Sequence, residues 1–253
     1  MNKLYTHTDI FKYEIFDYLD LVTQIAVKST CQKYYNIFRI TNLSEYKYAK
    51  KVINRPDILD KIKYITIDNS MKHIFSIYDI NNVETLKIIT NGSYNGNNYY
   101  NNNNNDNNTN NNNCEQIYNT DIINCTKIKK LDIGWQNKNF KDINHLNQLE
   151  YLCAPKSNFN NKSFFKCQNI VELDIKGSQD ITELNFLPNL TSLNISGTNI
   201  LDSGISQCTK LICLNMTSTN NISDINNLVN LTYLNADISK LCDYGIKKCI
   251  KKS

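Results

Sequence analysis

The sequence predicts an α/β fold in which short parallel strands and return segments alternate as a solenoid, preceded by a small helical unit. Three observations predict it. An apolar pattern of the form L-x-x-L-x-I recurs every 20 or 21 residues, and two further apolar columns keep the same phase three and six residues upstream. Residues 9–40 instead show an amphipathic helical pattern. Self-similarity at a period of 20 residues or more is the signature of stacked repeats.

Eight apolar triplets make up the main line of the pattern. They are Ile62/Ile65/Ile67, Val83/Leu86/Ile88, Ile128/Leu131/Ile133, Leu149/Leu152/Ala154, Ile170/Leu173/Ile175, Leu190/Leu193/Ile195, Leu211/Leu214/Met216 and Leu231/Leu234/Ala236. The L-x-I part places alternate side chains on the buried face of a short strand. Because one repeat cannot bury that face alone, neighbouring rungs must cover one another. The pattern is that of leucine-rich repeats and predicts a solenoid of about eight rungs.

One interval in the pattern is too long. Val83 and Ile128 are 45 residues apart, which is one repeat plus 24 residues, and residues 101–113 are all Asn apart from Asp106 and Thr109. Such a polar tract cannot fill a core column, so we expect it to be disordered and to loop out of its rung. The chain then divides into a helical unit (1–45), a cap with the first repeats (46–90), an Asn-rich insertion (91–116) and the solenoid (117–253).

Composition argues against nucleic-acid and membrane partners. The net charge is only +4 over 253 residues, and Arg occurs only as Arg39 and Arg55. This is not the strongly basic composition that is typical of nucleic-acid-binding proteins. No apolar stretch approaches the length of a membrane span, and charged residues from Asp9 to Asp17 interrupt any secretory signal. We therefore expect a protein of the cytoplasm, with the nucleus as a second possibility.

The cysteines follow the repeat. Cys125, Cys167, Cys208 and Cys249 occupy one core column, where they alternate with leucines. Residues two rungs apart are separated by about 10 Å, too far for a disulfide or a shared metal ion. We therefore predict small buried side chains in a reducing compartment, with no metal and no cofactor.

Two return segments and the N-terminus carry a family resemblance. Residues 200–208 and 241–249 resemble the I-x-D-x-G-[LI]-x-x-[LC] segment of the cysteine-containing leucine-rich-repeat class, whose members often carry an N-terminal F-box. Residues 15–19 (IFDYL) resemble the I-F-x-Y-L core of the F-box, and residues 31–35 (CQKYY) resemble its closing helix. The resemblance implies that the N-terminal unit binds a Skp-family adaptor, and through it a cullin ubiquitin ligase. The implied adaptor-binding residues are Ile15, Phe16, Tyr18, Leu19, Ile25, Cys31, Tyr34 and Tyr35.

A purely structural role for the N-terminal helices stays open. The first rung of a solenoid exposes its core columns and needs a cap. The helices of residues 9–40, with residues 44–53, would cover Ile62, Ile65 and Ile67.

The sequence favours recognition over catalysis. The three histidines, His7, His73 and His145, share no repeat phase, and no phosphate-binding loop or nucleophile motif is present. The expected contact surface is the concave face, formed by the strand residues that flank the buried pair. Its central column reads Thr66, Lys87, Asp132, Cys153, Asp174, Asn194, Asn215 and Asn235. The candidate recognition residues are Tyr64, Asp132, Trp135, Tyr151, Glu172, Asp174, Asn194, Asn215, Tyr233 and Asn235.

Two interpretations of this face stay open. Its side chains contact a ligand, with Trp135 as an anchor, or the Asn column hydrogen-bonds along the stack and Trp135 packs in its turn. The function expected is the substrate receptor of a Skp–cullin ubiquitin ligase that presents an unknown target protein. The alternative is a leucine-rich-repeat binding module unrelated to ubiquitin.

Overall fold

The computed structural model describes residues 42–43, 62–77, 80–90 and 116–247. They form one parallel sheet whose strand order follows the chain. The strands are β1 (Asn42–Leu43), β2 (Tyr64–Asp68), β3 (Thr85–Ile89), β4 (Lys130–Asp132), β5 (Tyr151–Cys153), β6 (Glu172–Asp174), β7 (Ser192–Asn194), β8 (Cys213–Asn215) and β9 (Tyr233–Asn235). The return segments contain the one-turn helices α1 (Ile74–Ile77) and α2 (Asp202–Ile205) and the 3₁₀ turns Asn69–Met71 and Asp243–Ile246. Within these ranges no helix is long and apolar enough to span a membrane.

The strands β2 to β9 are those that the apolar pattern predicts. The middle residues of the eight triplets lie opposite one another in register from Ile65 to Leu234. From Ile65 to Leu214 these side chains are no more than 2% exposed. The fold prediction is therefore confirmed as a parallel-sheet solenoid, with about seven turns between these strands. The predicted F-box-like helices and capping helices fall in residues 1–41 and 44–61, outside the described residues.

The sheet passes from β3 to β4 without a change of register. Thr85 lies opposite Lys130, and the backbone nitrogens of Lys129 and Lys130 both donate to the carbonyl oxygen of Glu84, at 2.7 and 3.0 Å. The same paired bonds join Glu150 and Tyr151 to Lys129 in the next rung, at 2.8 and 3.0 Å. The 24 extra residues between these triplets therefore leave the strand ladder intact.

The sheet also begins earlier than the pattern predicts. Strand β1 pairs with β2 in parallel, with Asn42 opposite Tyr64 and Leu43 opposite Ile65. Asn42 and Tyr64 are 22 residues apart, which is close to one repeat. The boundary expected at residue 45 thus falls after the first strand of the sheet.

From Cys125 onwards, the return segments alternate between two kinds of rung. In one kind, Leu occupies the column three residues before the triplet; in the other, Cys occupies it. The backbone nitrogens of Ile143, Leu184 and Ile225, all in Leu rungs, donate to carbonyl oxygens of the following Cys rungs at Ser163, Gly204 and Gly245 (2.8, 2.7 and 2.9 Å). The side-chain amides of Asn144, Asn185 and Asn226 donate into the same segments, to the carbonyl oxygens of Lys162, Ser203 and Tyr244 (2.8, 2.7 and 3.0 Å). The repeating unit is therefore a pair of rungs, 41 residues long at these asparagines.

Gly204 and Gly245 are required by this close contact between rungs. A Cβ atom on Gly204 would collide with the carbonyl oxygen of Thr182, and one on Gly245 with that of Ser223. Neither glycine has a positive φ. Their role is to let two backbones approach each other.

Candidate functional site

The concave face consists of two outward-facing columns of the sheet. In most strands the middle side chain is buried and the flanking ones are at least partly exposed, as the pleat of a strand requires. The first column reads Tyr64, Thr85, Lys130, Tyr151, Glu172, Ser192, Cys213 and Tyr233. The central column is the one predicted from the sequence, from Thr66 to Asn235, in the same register, although Thr66 itself is buried. Nine of the ten candidate recognition residues therefore lie on one surface, and Trp135 follows β4.

The acidic and amide side chains of the central column hold the turn that follows each strand. Each Oδ1 atom accepts a hydrogen bond from the backbone nitrogen two residues later, which is an Asx turn. The side chains and bond lengths are Asp132 (2.9 Å), Asp174 (3.0 Å), Asn194 (3.2 Å), Asn215 (3.2 Å) and Asn235 (3.3 Å). This oxygen is therefore already engaged in the absence of any ligand.

Part of the column is also bonded between rungs. The Nδ2 atom of Asn194 donates to Oδ2 of Asp174 at 3.0 Å. The Ser196 hydroxyl lies 2.8 Å from Oδ1 of Asn194 and 2.9 Å from Oδ1 of Asn215. Nζ of Lys87 lies 3.5 Å from Oδ2 of Asp132. Hydrogen bonding along the stack, the structural interpretation of this column, is thus present in the fold.

Trp135 packs at the turn after β4. Nζ of Lys156 lies 4.9 Å from the centre of its ring and Nζ of Lys176 lies 6.0 Å away. Its carbonyl oxygen accepts a hydrogen bond from the Thr90 hydroxyl at 2.9 Å. Exposed cation–π contacts are worth about 0.5–1 kcal/mol. The ring is only half-buried, so the contacts hold it in place and leave part of its surface accessible.

Cys153 and Tyr151 are held in their protonated forms. Burial, and then the carboxylates of Asp132 and Asp174 on the adjacent strands, raise the pKa of the Cys153 thiol to about 12. Burial, and then Cys153, raise the pKa of the Tyr151 hydroxyl. A thiol needs a lowered pKa to act as a nucleophile at neutral pH. This pair therefore suits contact and hydrogen bonding.

The remaining titratable candidates are structural. Burial lowers the pKa of His145, whose Nε2 lies 3.2 Å from the carbonyl oxygen of Ile122. The side chains of Cys125, Cys167 and Cys208 are buried, as predicted for this column, and none of the three forms a disulfide. The Cys167 thiol donates to the carbonyl oxygen of Ile143 at 3.3 Å. Within the described ranges no group of three or more His, Cys, Asp or Glu side chains is arranged to hold a metal ion.

The sequence interpretation missed one exposed apolar residue beside the concave face. Ile212 directly precedes β8 and is 44% exposed. Its column reads Lys63, Glu84, Lys129, Glu150, Val171, Thr191, Ile212 and Thr232. A large apolar side chain in a column that begins with alternating charges is the signal that would have identified it. The expected adaptor-binding residues, from Ile15 to Tyr35, lie outside the described residues and stay a prediction.

Comparison with known proteins identifies the fold. No family model matches the chain, and no curated protein matches it in sequence. An internalin of Listeria monocytogenes is 18% identical with a TM-score of 0.50, over 83% of this chain and 62% of the internalin. A leucine-rich-repeat protein of Leptospira interrogans is 11% identical with a TM-score of 0.55, over 80% of this chain and 54% of that protein. The chain thus spans less than two thirds of either structure, and its fold is that of leucine-rich-repeat proteins.

Proposed function

We propose that the chain is a non-catalytic protein–protein recognition subunit. The observation that carries the proposal is the continuous outward face of strands β2 to β9, on which tyrosine, carboxylate and amide side chains stand in two aligned columns. Solenoids present such extended faces to partners. Tyr64 and Tyr233 are 39% and 58% exposed, and tyrosine is enriched among the residues that dominate binding energies.

The titratable groups of the face also support binding. Cys153 stays protonated because its pKa is raised to about 12, and Lys87 is beside Asp132. Neither arrangement supplies a nucleophile activated by an adjacent base.

More specifically, we propose a substrate receptor of a Skp–cullin ubiquitin ligase, active in the cytoplasm or nucleus. The support is the resemblance of residues 15–19 and 31–35 to an F-box. In this function the N-terminal unit binds the adaptor, and the solenoid holds a target protein near the ubiquitin-loaded partner. Rate enhancement then comes from effective concentration, because a bimolecular encounter becomes intramolecular.

One observation favours a second candidate, a leucine-rich-repeat binding module whose N-terminal helices act only as a cap. Strand β1 joins the chain before residue 44 to the first predicted rung through the sheet, at Asn42 and Leu43. A segment tied to the solenoid in this way is well placed to cover Ile62, Ile65 and Ile67.

A pull-down with a purified Skp-family adaptor separates the two candidates. The full chain is compared with the double substitution Phe16→Asp/Leu19→Asp and, as a control, with Tyr233→Ser on the concave face. The ligase proposal expects binding by the full chain and by the control, none by the double variant, and the same melting temperature for all three. Failure of the full chain to bind, or a lower melting temperature of the double variant, supports the cap.

A further inference from the structure

Five charged side chains at the N-terminal end of the sheet, in the central column and in the column beside the concave face, are paired with one another. Nζ of Lys63 lies 2.7 Å from Oε1 of Glu84, and Nζ of Lys129 lies 3.7 Å from Oε2 of the same carboxylate. Lys87 and Asp132 form the pair described above. A charged partner would have to compete with these existing contacts.

The C-terminal end of the same face carries no charged side chain in either column. Strands β7, β8 and β9 present Ser192, Asn194, Cys213, Asn215, Tyr233 and Asn235. The oxygens of the three asparagines are engaged by the turns, and Nδ2 of Asn194 donates to Asp174. By contrast, Nδ2 of Asn215 and Nδ2 of Asn235 donate to no residue in the part of the chain that the structure describes. Two adjacent rungs therefore present amide donors without acceptors.

Two exposed apolar side chains lie on the same two rungs as these donors. Ile212 is 44% and Tyr233 is 58% exposed. They are neighbours across the sheet, because the backbone nitrogen of Tyr233 donates to the carbonyl oxygen of Ile212 at 3.0 Å. Together they supply the apolar contact that a partner would bury.

We propose that Ile212, Asn215, Tyr233 and Asn235, here called the C-terminal contact surface, bind an extended and uncharged polypeptide segment of a partner protein. The proposal rests on the recognition function proposed above. The two amide groups donate to main-chain carbonyl oxygens of the segment, and an apolar side chain of the segment packs on Ile212 and Tyr233. An extended chain is the occupant that exposes such carbonyls. A charged segment is disfavoured, because the surface has no opposite charge to compensate for its desolvation.

The test is a selection from a library of random peptides, each about a dozen residues long, displayed on phage and panned against the full chain. The affinity of the most enriched peptide is then measured by fluorescence anisotropy. Asn215→Asp and Asn235→Asp are the informative variants, since aspartate keeps the oxygen that each turn uses and replaces the amide donor with a second, negatively charged acceptor oxygen. Tyr233→Ser removes the aromatic contact, and Tyr244→Ser is its control, because Tyr244 is 76% exposed and lies in the 3₁₀ turn Asp243–Ile246, away from the concave face.

The proposal expects enriched peptides that are uncharged with apolar residues. It also expects at least about tenfold weaker binding for each of Asn215→Asp, Asn235→Asp and Tyr233→Ser, the loss typical of a contact at an interface centre, and no change for Tyr244→Ser. Charged peptides, or peptides weakened by Tyr244→Ser and unaffected by Tyr233→Ser, would overturn this surface and leave the recognition function standing. A selection without any enriched peptide would also overturn it. The adaptor pull-down tests the ligase proposal independently of every one of these results.

Discussion

The substitution Gly204→Ala separates local helix propensity from packing between rungs. Gly204 lies inside α2, where replacement of Gly by Ala ordinarily gains about 1 kcal/mol. The structure predicts the opposite, because the new Cβ would collide with the carbonyl oxygen of Thr182 and lie 3.2 Å from Cγ2 of Ile200. The carbonyl oxygen of Gly204 also accepts the 2.7 Å hydrogen bond from Leu184.

The size of the effect follows from these contacts. Overpacking in a close-packed interior costs about 1–3 kcal/mol, and a weakened backbone hydrogen bond costs about 0.5–1.5 kcal/mol. After subtraction of the helix gain of about 1 kcal/mol, we expect Gly204→Ala to lower the free energy of unfolding by about 0.5–3.5 kcal/mol. Urea unfolding measures this as a lower midpoint with an unchanged slope.

Ser203→Ala is the matched control. Ser203 lies in the same helix and is exposed, so its replacement should leave the midpoint unchanged or raise it slightly. A Gly204→Ala protein as stable as the parent, or more stable, would refute the reasoning. It would show that the segment around Gly204 can adopt the backbone of the equivalent turn two rungs earlier, where Ser163 occupies the same position.

Four further predictions concern stability. Burial raises the pKa of Cys167 to about 12, so the native thiol keeps a proton that the unfolded one loses above about pH 8.5. The urea midpoint should therefore fall as the pH rises from about 8.5 towards 11, and it should fall less steeply in Cys167→Ala. An equally steep fall in the parent and in Cys167→Ala would contradict this. Leu173→Ala should lower the free energy of unfolding by about 2–5 kcal/mol in the same assay, whereas replacement of the exposed Leu201 by Ala should change it little. Equal losses of stability in the two variants would count against the assigned core. Ile238 has a φ of 55° and is 79% exposed, so Ile238→Gly should raise the free energy of unfolding by about 1 kcal/mol, which is measured as a higher urea midpoint. A lower midpoint would mean that the Ile238 side chain packs. Deletion of residues 95–113 should leave the melting temperature nearly unchanged, because β3 and β4 pair directly, and a large drop would place the insertion in the core.

Sequence was sufficient for the solenoid where each rung presents a complete apolar triplet. Burial on one face forces the same phase on Leu131, Leu152 and their equivalents, so periodicity alone identified strands β2 to β9. Strand β1 was missed because its triplet is incomplete: Leu43 is followed two residues later by Glu45. A two-residue strand is recognisable only from its pairing with β2.

The sequence predicted which positions lie on the concave face, but it did not predict which of their side-chain amides donate a hydrogen bond to a neighbouring rung. Asn194 and Asn215 share a residue type and a column, yet only Asn194 donates to a neighbouring carboxylate, because Asp174 stands on the adjacent rung. Whether an amide is engaged depends on the neighbour across the sheet and on the turn geometry. The pattern of residue types alone left both interpretations of this column open for that reason.

The pairing of unlike rungs limits how a solenoid of this kind can change its length. Asn144, Asn185 and Asn226 each donate from a Leu rung to the Cys rung that follows. Removal of a single rung of 20 or 21 residues would therefore place two rungs of one kind side by side, and removal of a Cys rung would leave the amide before it without its carbonyl partner. Removal of a pair, 41 residues in this part of the chain, would preserve every such contact. Viable shortened or lengthened versions should therefore differ from one another by even numbers of rungs.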